Sequence, residues 1–188
     1  MNNTINQNTA LLVMDMQTAI LRAYPNATEF SKRVANAIDK AHELNIPVLY
    51  IIVGFRHGMP EISMNNKGFS ASKERLNGTS MEEWMKIDLS IVPLPGEIII
   101  IKRRVSAFTG SDLEVVLRAN KIEHIVLSGI STSGVVLSTI REAADKDYRI
   151  TVLTDGCADM DPEVHRVLTT KIFPKQATVL TIEEWLKE

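Results

Sequence analysis

Two charged residues close runs of apolar ones: Asp15 ends ALLVMD, and Lys102 ends EIIIIK. A lone charge at the end of a buried strand is costly to desolvate unless another group pairs with it. Strand ends in parallel sheets are also where α/β proteins place ligands. A carboxyl buried beside a cation has a tuned pKa and suits proton transfer. The other reading of Asp15 is a helix cap or a structural salt bridge. Four isoleucines before Lys102 hold that side chain near the sheet, where a lysine beside an aspartate holds or relays a proton. A third feature is the turn GISTSGVV, leading from a strand into a helix. Its small residues Ser131, Ser133 and Gly134 let a ligand approach the backbone closely. N–H groups near Val135 suit an anion or a developing oxyanion, although an ordinary strand–helix turn has the same spacing.

An acid, a base and an anion cradle are therefore visible, but no nucleophile. Ser131, Thr132 and Ser133 have no adjacent histidine base. Cys157, in TDGCADMD, follows the fifth strand, one element away from the helix that should present a nucleophile, and reads as core or turn filling. His42, His124 and His165 show no partner pattern. His57 lies in a functional-looking loop, yet a single histidine without Asp-x-His spacing does not make a metal site. No metal is expected, and no cofactor, because a G-x-G-x-x-G fingerprint after the first strand and a P-loop are both missing. Arg56 or Arg104 could meet a substrate carboxylate through a guanidinium fork, whereas Arg103 reads as solvated at a strand exit. Phe55 and Trp84 read as apolar pocket walls or core; Glu61, Asn65 and Asn66 read as pocket lining or solvated loop.

These residues need a scaffold, and the pattern supplies one. The chain has 188 residues, 45% of them hydrophobic, enough for one well-buried core and a single domain over 1–188. Its formal net charge of −2 gives no pull toward nucleic acid or membrane. The polar start MNNTINQNTA has no leader pattern, no apolar run suggests a span, and the expected location is the cytoplasm. Six strand-like runs alternate with helical ones: ALLVMD, VLYIIVGF, EIIIIK, HIVLSG, RITVLTD and ATVLT. Helices are expected at SKRVANAIDKAHEL with Asn45 as C-cap, SDLEVVLRAN begun by Ser111, VVLSTIREAADK, PEVHRVLTTKIF with Pro162 in its first turn, and a short IEEWLKE. Right-handed crossovers then give a three-layer α/β/α sandwich around a six-stranded, mainly parallel sheet. Strand order is not readable from periodicity. If it is Rossmann-like, the first and fourth strands are neighbours and Asp15 opens beside the GISTSG turn. The stretch 56–96 is irregular, with one short helical candidate at SMEEWMKI, and reads as functional, disordered or an interface, a candidate lid among the functional readings.

Taken together, ALLVMDMQ, IKRRVSAF, LSGISTSGVVLSTIREAADKDYRITVLTDGCAD and FPKQATVLT resemble the isochorismatase-like hydrolase superfamily, or cysteine hydrolases, over nearly the whole chain. The resemblance implies a six-stranded parallel sheet between helices, and a catalytic Asp, Lys and Cys. Asp15, with Gln17 two residues later, matches the family's acid; Lys102 with Arg104, Ser106 and Phe108 matches its K-x-R-x-S-A-F pattern. A non-proline cis peptide is implied at Ile130–Ser131, ahead of the oxyanion hole. The family's cysteine falls at Val135, which can neither attack a carbonyl nor transfer a proton. The Asp-x-His of nicotinamidases is replaced by GFRHGMPE after the second strand. The resemblance implies that members lacking the cysteine include true isochorismatases, which hydrolyse a vinyl ether by protonating carbon and adding water. The implied function is hydrolysis of a small anionic or carbonyl-bearing metabolite by Asp/Lys chemistry without a cysteine. The alternative is a lapsed enzyme serving as a small-molecule binding or regulatory protein. Assembly as a homodimer or homotetramer is implied as well.

Overall fold

The computed structural model describes residues 8–187; the opening Met1–Gln7, part of the stretch read as having no leader, and Glu188 lie outside them. Six strands form one sheet: β1 (Thr9–Met14), β2 (Val48–Val53), β3 (Ile98–Lys102), β4 (His124–Ile130), β5 (Arg149–Ala158) and β6 (Thr178–Leu180). Their order is β3-β2-β1-β4-β5-β6, with every pairing parallel. The chain order reverses between β1 and β4, so the crevice at their carboxyl ends falls where Asp15 and the GISTSG turn emerge.

Strands covered on both faces must be apolar throughout, and β1, β2 and β4 are buried at every position. Alternate residues serve the two layers. Leu11 and Val13 join Tyr50 and the stripe Phe30, Val34, Ala37, Ile38 and Ala41 of the helix Ala27–Glu43 in one cluster. Leu12 and Met14 point the other way, into a cluster with Leu113 and Leu117 of the helix Leu113–Ala119 and Ile140 and Ala143 of the helix Leu137–Asp145. The result is the three-layer sandwich. The C-cap of the Ala27–Glu43 helix is Leu44, one residue before the expected Asn45, which follows in a left-handed conformation (φ 55°) while the Ile46 amide closes back on the Ala41 carbonyl at 2.8 Å.

Local differences from the sequence expectations have physical causes. The 56–96 stretch carries a nine-residue helix, Lys67–Arg75, besides the short one at Met81–Trp84. Its residues are nowhere buried, so it leaves no apolar stripe to read; Asn66 caps it by accepting from the Phe69 amide at 3.1 Å. Val53, Phe55, Met59, Ile62 and Leu76 form a third apolar cluster, against which Phe69, Met81 and Trp84 pack. The stretch is thus a cover with its own small core over the end of β2. The helix expected from Ser111 begins at Leu113, with the Ser111 hydroxyl accepting from the Leu113 amide at 3.2 Å. Wide π turns at Thr132–Val136 and Leu168–Ile172 interrupt the helices expected at 135–146 and 162–173. Cys157 lies inside β5, not after it. Opposite it, Gly129 (φ 134°) sits so close to the Met14 backbone that any side chain there would overlap it.

Candidate active site

Asp15 follows the last residue of β1 in a left-handed conformation (φ 56°), which aspartate tolerates better than most residues. Its amide still donates to the Ile51 carbonyl at 2.8 Å, so the carboxyl leaves the sheet from a fixed point. Lys102 ends β3, two strands away, a gap of about 10 Å across β2. The long lysine stem and the short aspartate arm close it: Nζ lies 2.9 Å from Asp15 Oδ2. The ammonium also donates to the Arg104 and Val105 carbonyls at 3.0 and 3.1 Å, which fixes its direction. Both side chains are buried.

The two carboxyl oxygens differ. Oδ2 has the lysine, whereas Oδ1 is buried and has no hydrogen-bond partner among the described residues. Leaving a buried acceptor unanswered costs about 1–3 kcal/mol. Burial raises the Asp15 pKa, and the Lys102 charge and hydrogen bond oppose it without cancelling it. The carboxyl is therefore able to hold a proton that an exposed aspartate releases.

Met14 pairs with Gly129, so the turn that follows β4 rises beside Asp15. The Ile130–Ser131 peptide is cis. Within the turn, the Gly134 and Val136 amides bond the Ser131 carbonyl at 3.1 and 3.2 Å. The Thr132 hydroxyl meets His165 Nδ1 at 2.8 Å, and the Ser133 amide donates to Asp159 Oδ2 at 2.7 Å. The expected anion cradle is thus partly filled by the protein's own carboxylate. The Tyr24 phenol is pushed up to about 12, by burial first and then by the Asp159 charge, with Ser131 opposing the shift and the Asp15 charge adding to it. His165 is half-buried, and burial draws its pKa down against the pull of Asp159.

Several expected ligand contacts are spent on the fold. Gln17 is fully buried; its amide bonds the Val53 carbonyl at 3.1 Å and the Trp84 carbonyl at 2.7 Å, and accepts from the Val53 amide at 2.7 Å. It braces the cover instead of facing a ligand. Arg56 pairs with Glu61 at 2.7 Å, and Arg104 donates to the Glu61 carbonyl at 2.8 Å and the Arg103 carbonyl at 2.7 Å. Arg103, read as solvated, bonds the Gly54 carbonyl at 2.5 Å and approaches Glu61 at 3.5 Å. Phe55 packs edge-on to Phe69, and Phe108 lies against Tyr148 in the core. Ile130 and Val135 are buried in opposite apolar clusters. Among the described residues no three His, Cys, Asp or Glu side chains gather to hold a metal, and no helix is long and apolar enough to cross a membrane.

Tyr24 and Asp159 escaped the sequence reading, and His165, read as having no partner pattern, meets Thr132. Asp159 had a usable signal, since it lies just past β5 as Asp15 lies just past β1. Tyr24 had none.

Residues 9–184 match the isochorismatase domain family. The chain is 32% identical over 186 residues to the uncharacterized isochorismatase family protein YecD of Escherichia coli O157:H7, covering 95% of this chain and 94% of that one. It is 32% identical over 129 residues to an N-carbamoylsarcosine amidase of Arthrobacter sp, covering 67% of this chain and 48% of the amidase. Among solved structures, an isochorismatase family protein from Burkholderia thailandensis superimposes with a TM-score of 0.82 at 25% identity, over 98% of both chains.

Proposed function

The chain belongs to the isochorismatase family, and from that premise we propose that it is a hydrolase in which Asp15 is the acid, Lys102 steadies it, and water attacks directly. The observation that carries this reading is the asymmetry of the Asp15 carboxyl, tied through Oδ2 and unanswered at Oδ1. The substrate is a small anionic or carbonyl-bearing metabolite. For a vinyl ether, Asp15 gives its proton to the terminal carbon and leaves an oxocarbenium at the ether carbon. Water adds there and returns a proton to the carboxylate; the hemiketal then breaks into an alcohol and a ketone. Lys102 stabilises the carboxylate that exists between those two transfers.

No covalent intermediate is needed. Contrary to the sequence expectation, Thr132 does have a histidine beside it, His165 Nδ1 at 2.8 Å from its hydroxyl, but Thr132 is fully buried. Val135 stands where the family resemblance sets a cysteine, and it is packed into the core. Cys157 is buried in β5.

Asp15→Asn is expected to lower kcat by about 10²- to 10⁴-fold on a panel of vinyl ethers and small amides, with the thermal melt retained. Because the acid must be protonated, wild-type kcat/KM should fall as pH rises through the raised Asp15 pKa. An unchanged rate in Asp15→Asn removes the proposal. The packed Val135 also favours a second reading, a family member that binds a metabolite without turning it over; saturable binding with no turnover by the wild type would establish it.

A further inference from the structure

The turn expected to cradle an anion is answered from within the chain. Ser133 is exposed, yet its amide donates to Asp159 Oδ2 at 2.7 Å. Water satisfies an exposed amide, so the fold gains little from a carboxylate there. What the contact changes is which ligand the amide can take.

The strand register places Asp159 beside the candidate active site. Met14 pairs with Gly129 in β4, and Ile130 pairs with Ala158 in β5. Asp15 follows Met14 and Asp159 follows Ala158, so their backbones leave the sheet within one residue of the same level. They stand on either side of the turn, two strand spacings or about 10 Å apart. Asp159 is steered by its own segment, where Oδ1 meets the Asp161 amide at 3.4 Å. Asp161 in turn caps the helix Pro162–Val167, whose His165 meets the Thr132 hydroxyl of the same turn at 2.8 Å.

The two carboxylates differ in compensation. Asp15 has the Lys102 ammonium at 2.9 Å. Asp159 forms no ion pair with a lysine or arginine among the described residues, so its negative charge is left over at the turn. An anion arriving there meets a like charge and an amide already engaged.

We infer that Asp159 is a specificity-determining residue: it bars anions from the turn, and the substrate presents an uncharged group, such as a carbonyl, on that side. The inference rests on the assignment of Asp15 as the acid, which makes this end of the sheet the substrate crevice, and it narrows the substrate class given there.

Formate, with formamide as its uncharged counterpart, tests this by amide NMR titration of the full chain, with the Ser133 signal as the readout. Asp159→Ala removes both the charge and the acceptor. Formate should bind at the Ser133 amide about tenfold or more tighter in that variant than in the wild type, and formamide should gain less. Asp159→Asn keeps an acceptor oxygen without the charge and should fall between the two proteins. It also decides the matter if the alanine variant does not fold. Formate affinity no tighter in the variants than in the wild type overturns the inference. So does an equal gain for formate and formamide, which would remove charge from the selection. The titration needs no turnover, so its failure leaves the Asp15 result standing, and an active Asp15→Asn protein leaves the titration standing.

Discussion

At opposite ends of the parallel strands the protein buries a histidine and an aspartate and treats them oppositely. At the amino end His124 opens β4, and both ring nitrogens are answered: Nδ1 by the Thr9 hydroxyl at 3.2 Å, Nε2 by the Thr151 hydroxyl at 2.9 Å. Burial, helped by Arg149, pushes its pKa down to about 4, so it stays neutral. At the carboxyl end Asp15 has one oxygen answered by Lys102 and the other by nothing among the described residues. Burial has already been imposed on both groups. Only completion differs: the histidine knits strands together, and the aspartate with its open oxygen is the group proposed above to act on a ligand.

The sharpest way to break this contrast is to remove the one partner Asp15 has. Lys102→Met keeps most of the stem and leaves the carboxyl with burial alone. Breaking one side of a buried pair costs about 3–5 kcal/mol, so a loss of that size is expected by urea unfolding near neutral pH. The pKa of Asp15 should then rise further above its ordinary 3.8. A raised carboxyl means the folded state keeps a proton that the unfolded chain releases. The penalty should therefore grow as pH climbs above the unfolded value and shrink as pH falls through the folded one. A loss independent of pH would show that the lysine serves packing alone.

The amino end should tilt the other way. A histidine held down to about 4 from 6.5 resists a proton that the unfolded chain accepts. Its contribution is complete above 6.5 and fades as pH falls toward 4, by up to about 3 kcal/mol. The difference in unfolding free energy between wild type and His124→Gln, followed from pH 7 to pH 4, isolates that slope. If the difference stays flat, the two hydroxyls do not hold the ring neutral, and the contrast with Asp15 is lost.

The sheet and the Asp15–Lys102 pair were legible because each is written linearly. Buried parallel strands are apolar runs, and a charge that closes such a run stands out against it. Strand order was not legible, since a period of two says nothing about neighbours. The helix Lys67–Arg75 stayed hidden for a related reason: it buries none of its residues, so no stripe betrays it. Gln17, Arg56, Arg104 and Phe108 show a different limit. Their spacing from Asp15, the second strand and Lys102 put them near the strand ends, but which way each side chain turns depends on residues distant in sequence. Gln17 turns to Val53 and Trp84, and Phe108 to Tyr148. Thr132 reaches His165 across 33 residues, a meeting that only the completed β4–β5 pairing brings about.

The smallest expected effect decides the most about chemistry. The chain has one cysteine, and Cys157 is buried, with Sγ 3.8 Å from the Leu127 carbonyl in the middle of the β4–β5 pairing. Burial pushes its thiol up to about 12, which keeps it from the thiolate form that attacks electrophiles. Cys157→Ala should cost about 1 kcal/mol of stability through lost packing, leave turnover unchanged, and make no difference to labelling of the native protein by a thiol reagent. Should that variant lose its turnover while its melt holds, a sulfur nucleophile would return to the mechanism and direct attack by water would have to be abandoned. Unchanged turnover instead leaves the unanswered oxygen of Asp15 as the group on which the reaction turns.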